Sequence, residues 1–130
     1  MEKIIERLIH NLTHAYAPYS RFPVSAIVEL KDGRLFQGIN VENAAYGLAN
    51  CAERSALFSA YSEGVRKEDI QRIYIYTDHD YFVSPCGSCR QVMRELMEPE
   101  AEVVLVNNTK ATKTFINRDL LPFGFSKEDL

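Results

Sequence analysis

Three cysteines and one glutamate carry the chemistry open to this sequence. Cys51, Cys86 and Cys89 are its only thiols. An odd number cannot pair completely within one chain, and a cytoplasmic protein rarely keeps disulfides. Cys86 and Cys89 form a C-x-x-C, which by itself suits a redox pair as well as a metal. The third thiol tips the balance, because three thiolates around one ion leave no orphan. Spaced i, i+3 in the first turn of a helix, Cys86 and Cys89 bring both sulfurs to one side. The helix N-terminal amides there also stabilise thiolates. Cys51 opens a different helix. Residues i and i+2 inside a helix point nearly opposite ways, so Cys51 and Glu53 address one metal only if Cys51 stands at the very N-terminus. Asn50, a good N-cap type, allows that.

Three protein ligands leave one tetrahedral position open, which is the catalytic rather than the structural arrangement of zinc. Zinc lowers the pKa of its bound water towards neutrality. A carboxylate beside that water can shuttle protons, and Glu53 is the candidate. Three thiolates and Zn²⁺ sum to −1, which blunts the Lewis acid. A cation hydrogen-bonded to the sulfurs offsets this. Arg54 and Arg90 both adjoin ligands, and Arg54 is preferred.

The elements that must position these residues follow from periodicity. Residues 2–15 predict an amphipathic helix, with Ile4, Leu8 and Leu12 on one face. Residues 24–30 and 34–41 predict two strands joined at Asp32-Gly33, a hairpin signal. A helix is expected from about Cys51 to Glu63, with Gly64 as its C-cap. A buried strand at 70–76, a helix at 86–97, strands at 102–107 and 112–116, and a short helix at 117–121 complete the chain. The reading is a single α/β domain over residues 1–130. Its layers are α/β/α, built on a mixed, mostly parallel sheet of about five strands after an N-terminal antiparallel hairpin.

Composition narrows the function classes. The 130 residues suit one domain, and 46% are apolar and 25% charged. The formal charge is −3 with no basic block, which argues against a protein gripping long nucleic acid by its phosphates. No apolar run approaches a membrane span, and the N-terminus lacks the pattern of a secretory signal. A cytoplasmic chain with no membrane partner is expected.

The C-A-E at 51–53 followed by P-C-x-x-C at 85–89 resembles the zinc deaminase pattern. The resemblance extends to A-Y-A-P-Y-S-R-F-P-V at 15–24, N-V-E-N-A-A-Y at 40–46, C-A-E-R-S-A at 51–56, S-P-C-G-S-C-R-Q-V at 84–92 and L-L-P-F-G-F at 120–125. In this order and spacing the segments resemble the small, homotetrameric cytidine deaminases over nearly the whole chain. That family hydrolyses cytidine and 2′-deoxycytidine to the uridines plus ammonia, in pyrimidine salvage. The resemblance implies one Zn²⁺ per subunit on Cys51, Cys86 and Cys89, with Glu53 as the proton shuttle and Arg54 offsetting the thiolates. It implies Phe22 packing on the base, Asn40 and Glu42 reading the ribose, and the backbone of Ala52 reading the base carbonyl. Tyr46 and Phe125 resemble residues supplied to the neighbouring subunit's site. As i, i+2 residues on a strand, Asn40 and Glu42 would share a face. An amide and a carboxylate there favour a free 3′-hydroxyl, hence a nucleoside over a polymer. Two departures stand out: Ser25 occupies a position where the family commonly has Gly, and Phe123-Gly124 precedes Phe125 where small residues are frequent.

Plainer readings compete. Cys51 alone could be a buried small hydrophobe, and Glu53 a carboxylate favoured by the helix dipole. His10 and His14, spaced i, i+4, read as a solvated or partly buried pair, and His79 by default as a surface loop residue, with a stray ligand or a pocket rim as its alternatives. A structural zinc or dithiol protein is the non-enzymatic alternative, and it needs a fourth ligand from His79, His10 or His14. Deamination of a modified nucleoside, a nucleoside antibiotic or a base within a polymer is the alternative with the same chemistry.

Overall fold

The computed structural model describes all 130 residues. Helix α1 (Glu2–Asn11) runs into a 3₁₀ turn, Leu12–His14, so the expected 2–15 helix tightens over its last turn. Strands β1 (Val24–Leu30) and β2 (Leu35–Ile39) form the hairpin, with Gly33 at φ 95° in its turn. Helix α2 (Ala52–Ser62), strand β3 (Ile70–Thr77), helix α3 (Gly87–Leu96) and strands β4 (Glu102–Val106) and β5 (Thr112–Ile116) follow. The expected last helix, 117–121, is a 3₁₀ turn, Asn117–Leu120.

The five strands form one mixed sheet in the order β2-β1-β3-β4-β5. The expected parallel majority is corrected here. Only β3 and β4 pair in parallel; β1–β2, β1–β3 and β4–β5 are antiparallel. The reason is where the hairpin lies. Strands β2 and β3 run in the same direction around α2, as a strand–helix–strand unit should, but β1 lies between them. The link from β4 to β5 is too short for a crossover and turns back on itself.

Helices cover both faces. Ile5 and Leu8 of α1 pack on Ile27, Tyr74, Tyr76, Val104 and Val106. On the opposite face Ala56, Leu57 and Ala60 of α2 and Met93 of α3 cover Ala26, Val28, Ile73, Ile75 and Val103. Ser25, the departure from the family pattern, is fully buried and its hydroxyl donates to the carbonyl of Leu8 at 2.7 Å, tying β1 to α1.

Two details seat the helices that bear the chemistry. A Cβ at Gly38 would lie 2.4 Å from the Ala56 amide nitrogen and 2.6 Å from the Ala52 carbonyl, so the α2 backbone rests directly on β2. At the far end of α3, the buried Asn117 donates through Nδ2 to the carbonyls of Met93 and Glu98, at 2.9 and 3.2 Å. Each carbonyl also accepts a backbone amide, Met93 from Met97 at 3.0 Å and Glu98 from Ala101 at 3.1 Å, so Asn117 adds a second bond to each and ties the end of α3 to the segment after β5. Asn117→Ala is expected to cost about 1–3 kcal/mol, read as a lower urea midpoint with an unchanged slope.

Candidate metal centre and active site

Helices α2 and α3 both begin at one end of the sheet, following the C-terminal ends of β2 and β3. Ligands in open α/β sheets gather at such ends. Backbone pairing fixes the approach to α2. Val41 bridges Asn50 with reciprocal bonds of 3.0 and 2.9 Å, and Tyr16 bridges the same segment from its other side. Asn50 is therefore held as a bridge partner, and the N-cap of α2 is Cys51 itself, with extended φ −77°, ψ 157°. This corrects the expected cap and meets the requirement behind it, because Cys51 stands outside the helical turn that carries Glu53.

Cys86 is the N-cap of α3, and its sulfur accepts from the Cys89 amide at 3.5 Å. The three sulfurs lie within 4.8 Å of one another, with Cys51 and Cys86 3.9 Å apart. Tetrahedral zinc–thiolate bonds of about 2.3 Å place two sulfurs about 3.8 Å apart, so the donor set fits zinc. No His, Asp or Glu joins the cluster as a fourth ligand. That removes the support a structural zinc site would require.

Electrostatics point the same way. The Cys51 thiol is pulled down to about 5 by hydrogen bonding from Cys89 and from Arg54. The Cys89 thiol is pushed up by its bond to Cys51 and by burial. Cys51 and Cys89 are thus driven apart, one towards the thiolate and the other towards the thiol; a bound divalent ion is what lets coordinating thiols ionise together. Arg54 Nη2 donates to Cys51 Sγ at 3.2 Å, and this contact raises the Arg54 pKa further. Arg90 turns elsewhere. Its guanidinium donates to the carbonyls of Pro85 and Leu120 at 2.8 and 2.9 Å and to the Ser84 hydroxyl, so it braces the loop before Cys86.

Glu53 is 5% exposed in the first turn of α2. Burial lifts its carboxyl above the usual carboxylate range, and the Cys51 charge adds to the lift. A carboxyl tuned upward is suited to both take and return a proton near neutral pH. It opens on a cavity of about 260 Å³ together with Cys51, Cys86, Phe22, Asn40 and Thr77.

The other expected residues are placed less uniformly. Asn40 is occupied with backbone: its Oδ1 accepts from Val24 N at 2.8 Å and its Nδ2 donates to the Phe22 carbonyl at 2.9 Å. Glu42 accepts from the amides of Tyr19 and Ser20, both at 3.0 Å, and from the Ser20 hydroxyl. Strand β2 ends at Ile39, before both residues, and Glu42 lines a neighbouring cavity of about 280 Å³ with Ser20 and Tyr46. Ala52 is fully buried, its methyl in the core, outside the cavity's lining residues. Tyr46 is 82% exposed and Phe125 56% exposed, and neither lines the Glu53 cavity.

Sequence reading misses two contributors, Gly38 and Ser20, and gives a third, His79, its place only as an alternative. Gly38 had a signal, since a glycine inside a strand marks close backbone approach. Ser20, which spans both cavities and bonds Glu42, had none. His79 stacks on Phe22 and so belongs to the site's rim, the alternative to its default surface reading.

Comparison with known proteins agrees with this geometry. Residues 1–106 match the family model described as the cytidine and deoxycytidylate deaminase zinc-binding region. A cytidine deaminase of Halalkalibacterium halodurans is 46% identical over 99% of this chain and 96% of its own. One of Sporosarcina psychrophila is 42% identical over 100% of this chain and 94% of its own. Among solved structures, the cytidine deaminase of Burkholderia pseudomallei superposes with a TM-score of 0.90 at 46% identity, covering 95% of this chain and 98% of that one. With sequence, fold and sulfur cluster in accord over nearly its full length, this chain belongs to the cytidine and deoxycytidylate deaminase family.

Proposed function

We propose that this chain hydrolyses cytidine and 2′-deoxycytidine to uridine and 2′-deoxyuridine, releasing ammonia, as a zinc-dependent enzyme of pyrimidine salvage. One observation carries the reading: a buried glutamate stands beside a three-sulfur cluster in a cavity edged by an aromatic ring. Zinc bound by Cys51, Cys86 and Cys89 supplies an acidified water. Glu53 takes a proton from the attacking water and delivers it to N3 of the base. It then passes the second proton to the 4-amino group, which leaves as ammonia while the oxygen stays on C4. Burial serves this role, because a raised pKa lets one carboxyl act as base and then as acid. Arg54 offsets thiolate charge through Cys51.

Phe22 packs on the base, the Ala52 amide reads its carbonyl, and Asn40 and Glu42 read the ribose. Their backbone bonds support this reading, since both side chains are held rigid and each keeps unused capacity. A single nucleoside fits such a closed set of contacts better than a polynucleotide does. Incubation with cytidine, 2′-deoxycytidine and a short cytosine-containing oligonucleotide tests this. Uridine and 2′-deoxyuridine are the expected products; deamination of the oligonucleotide alone would overturn the reading.

The assembly we propose is a homotetramer in which Tyr46 and Phe125 complete the neighbour's site. Supporting it, Tyr46, Leu48, Phe123 and Phe125 are all exposed apolar residues. Mixing provides the check. Subunits carrying Phe125→Ala, with an intact Glu53, should regain activity when co-assembled with Glu53→Gln subunits that supply Phe125. Additive behaviour of the two weak variants would contradict shared sites. No helix is long and apolar enough to cross a membrane. Three free thiols suit a reducing compartment, and we assign the enzyme to the cytoplasm.

A further inference from the structure

We infer that His79 is a positioning residue for substrate binding, acting through Phe22. The imidazole stacks on the Phe22 ring with centroids 4.7 Å apart and planes 26° from parallel. The Tyr81 ring is also close to the imidazole, with centroids 5.1 Å apart and planes tilted by 37°. The stack is held in place from outside the loop. The Asn108 amide donates to the His79 carbonyl at 2.8 Å, and Asn107 Nδ2 donates to the Asp80 carbonyl at 3.2 Å. Asn107 is itself buried, and its Oδ1 accepts from Thr109 and Ala111 within the β4–β5 turn. The turn therefore fixes the backbone of the loop that carries the imidazole.

The hydrogen bonds at Phe22 are made by its backbone. Its amide donates to Ser20 Oγ at 3.1 Å, and its carbonyl accepts from Asn40. Those bonds set the peptide; nothing in them fixes χ1 and χ2. Arg21, immediately before it, has φ 56°, so the segment leading to Phe22 turns sharply instead of continuing as strand. The ring's orientation towards the cavity depends on what it packs against, and His79 is the aromatic partner the structure provides. An offset aromatic stack contributes enough to decide between ring rotamers. Without it the ring can leave the orientation that packs on a base, and substrate affinity falls while proton transfer at Glu53 is untouched. This rests on the reading of Phe22 as the surface that packs on the base.

Steady-state kinetics of the zinc-loaded enzyme with cytidine test it. His79→Ala is expected to raise KM about threefold to tenfold, with kcat within about twofold of the unsubstituted enzyme. His79→Phe keeps a stacking ring and is expected to restore KM. In a Phe22→Ala background, His79→Ala should have no further effect, because its route to the substrate is gone. A wild-type KM for His79→Ala would overturn the inference. So would a His79→Phe variant as weak as His79→Ala, or a full His79 effect persisting without Phe22. An unsubstituted enzyme with no turnover of cytidine would be a separate result; it overturns the functional reading and this inference with it.

Discussion

Glu53→Gln lowers kcat/KM for cytidine by roughly a hundredfold to ten-thousandfold and leaves one zinc per chain. The magnitude is that of removing a positioned general acid–base group. The amide has nearly the shape of the carboxyl, so the first turn of α2 and the packing around a 5% exposed side chain are preserved. What the amide cannot do is take a proton from water and return it to the base. The metal stays because Glu53 is not a ligand; the three sulfurs form the cluster without it. Measuring turnover and zinc content on the same sample separates the two effects. A variant that loses zinc in proportion to activity would make Glu53 a structural support for the cluster instead of a proton carrier.

Gly38→Ala produces the largest loss that begins outside the cavity. A methyl there would stand 2.4 Å from Ala56 N and 2.6 Å from Ala52 O, closer than carbon packs against backbone. Neither neighbour is the end of a flexible side chain, so α2 as a whole must lift from β2. Overpacking of this kind costs about 3 kcal/mol or more where backbone has to move. The consequence reaches the chemistry because α2 carries Cys51 at its N-cap and Glu53 in its first turn. The urea midpoint of the zinc-free protein should fall, and zinc should be surrendered to a competing chelator at lower chelator concentration. An unchanged midpoint together with unchanged zinc retention would mean that the sheet and helix have slack the packing does not show.

Much of this architecture was readable in the sequence because its signals are local. The alternation of strands and helices, the Asp32-Gly33 turn and the cysteine spacing each depend on neighbours within a few positions. The sulfur cluster itself was legible, since C-A-E and P-C-x-x-C constrain two helix starts. What the sequence concealed is long-range. Strand β1 lies between β2 and β3, and that placement makes the expected mixed, mostly parallel sheet one with a single parallel pair. Adjacency to ligands does not separate Arg54 from Arg90; the contact with Cys51 Sγ supports the preference for Arg54. Arg90's engagement with Leu120 joins residues thirty positions apart, which no local pattern reports. Asn40 and Glu42 follow from the family resemblance, but their hold on residues 19–24 is visible only in the folded chain.

Zinc titration tests the central claim most directly. The chain is stripped with a chelator, zinc is added back in known amounts, and conversion of cytidine to uridine is followed by ultraviolet absorbance. The account requires no turnover in the stripped protein, a linear rise with added zinc, and a break at one zinc per chain, as three thiol ligands around a single site dictate. Turnover that ignores zinc, or folded protein that binds one zinc per chain and leaves cytidine unchanged, would contradict it.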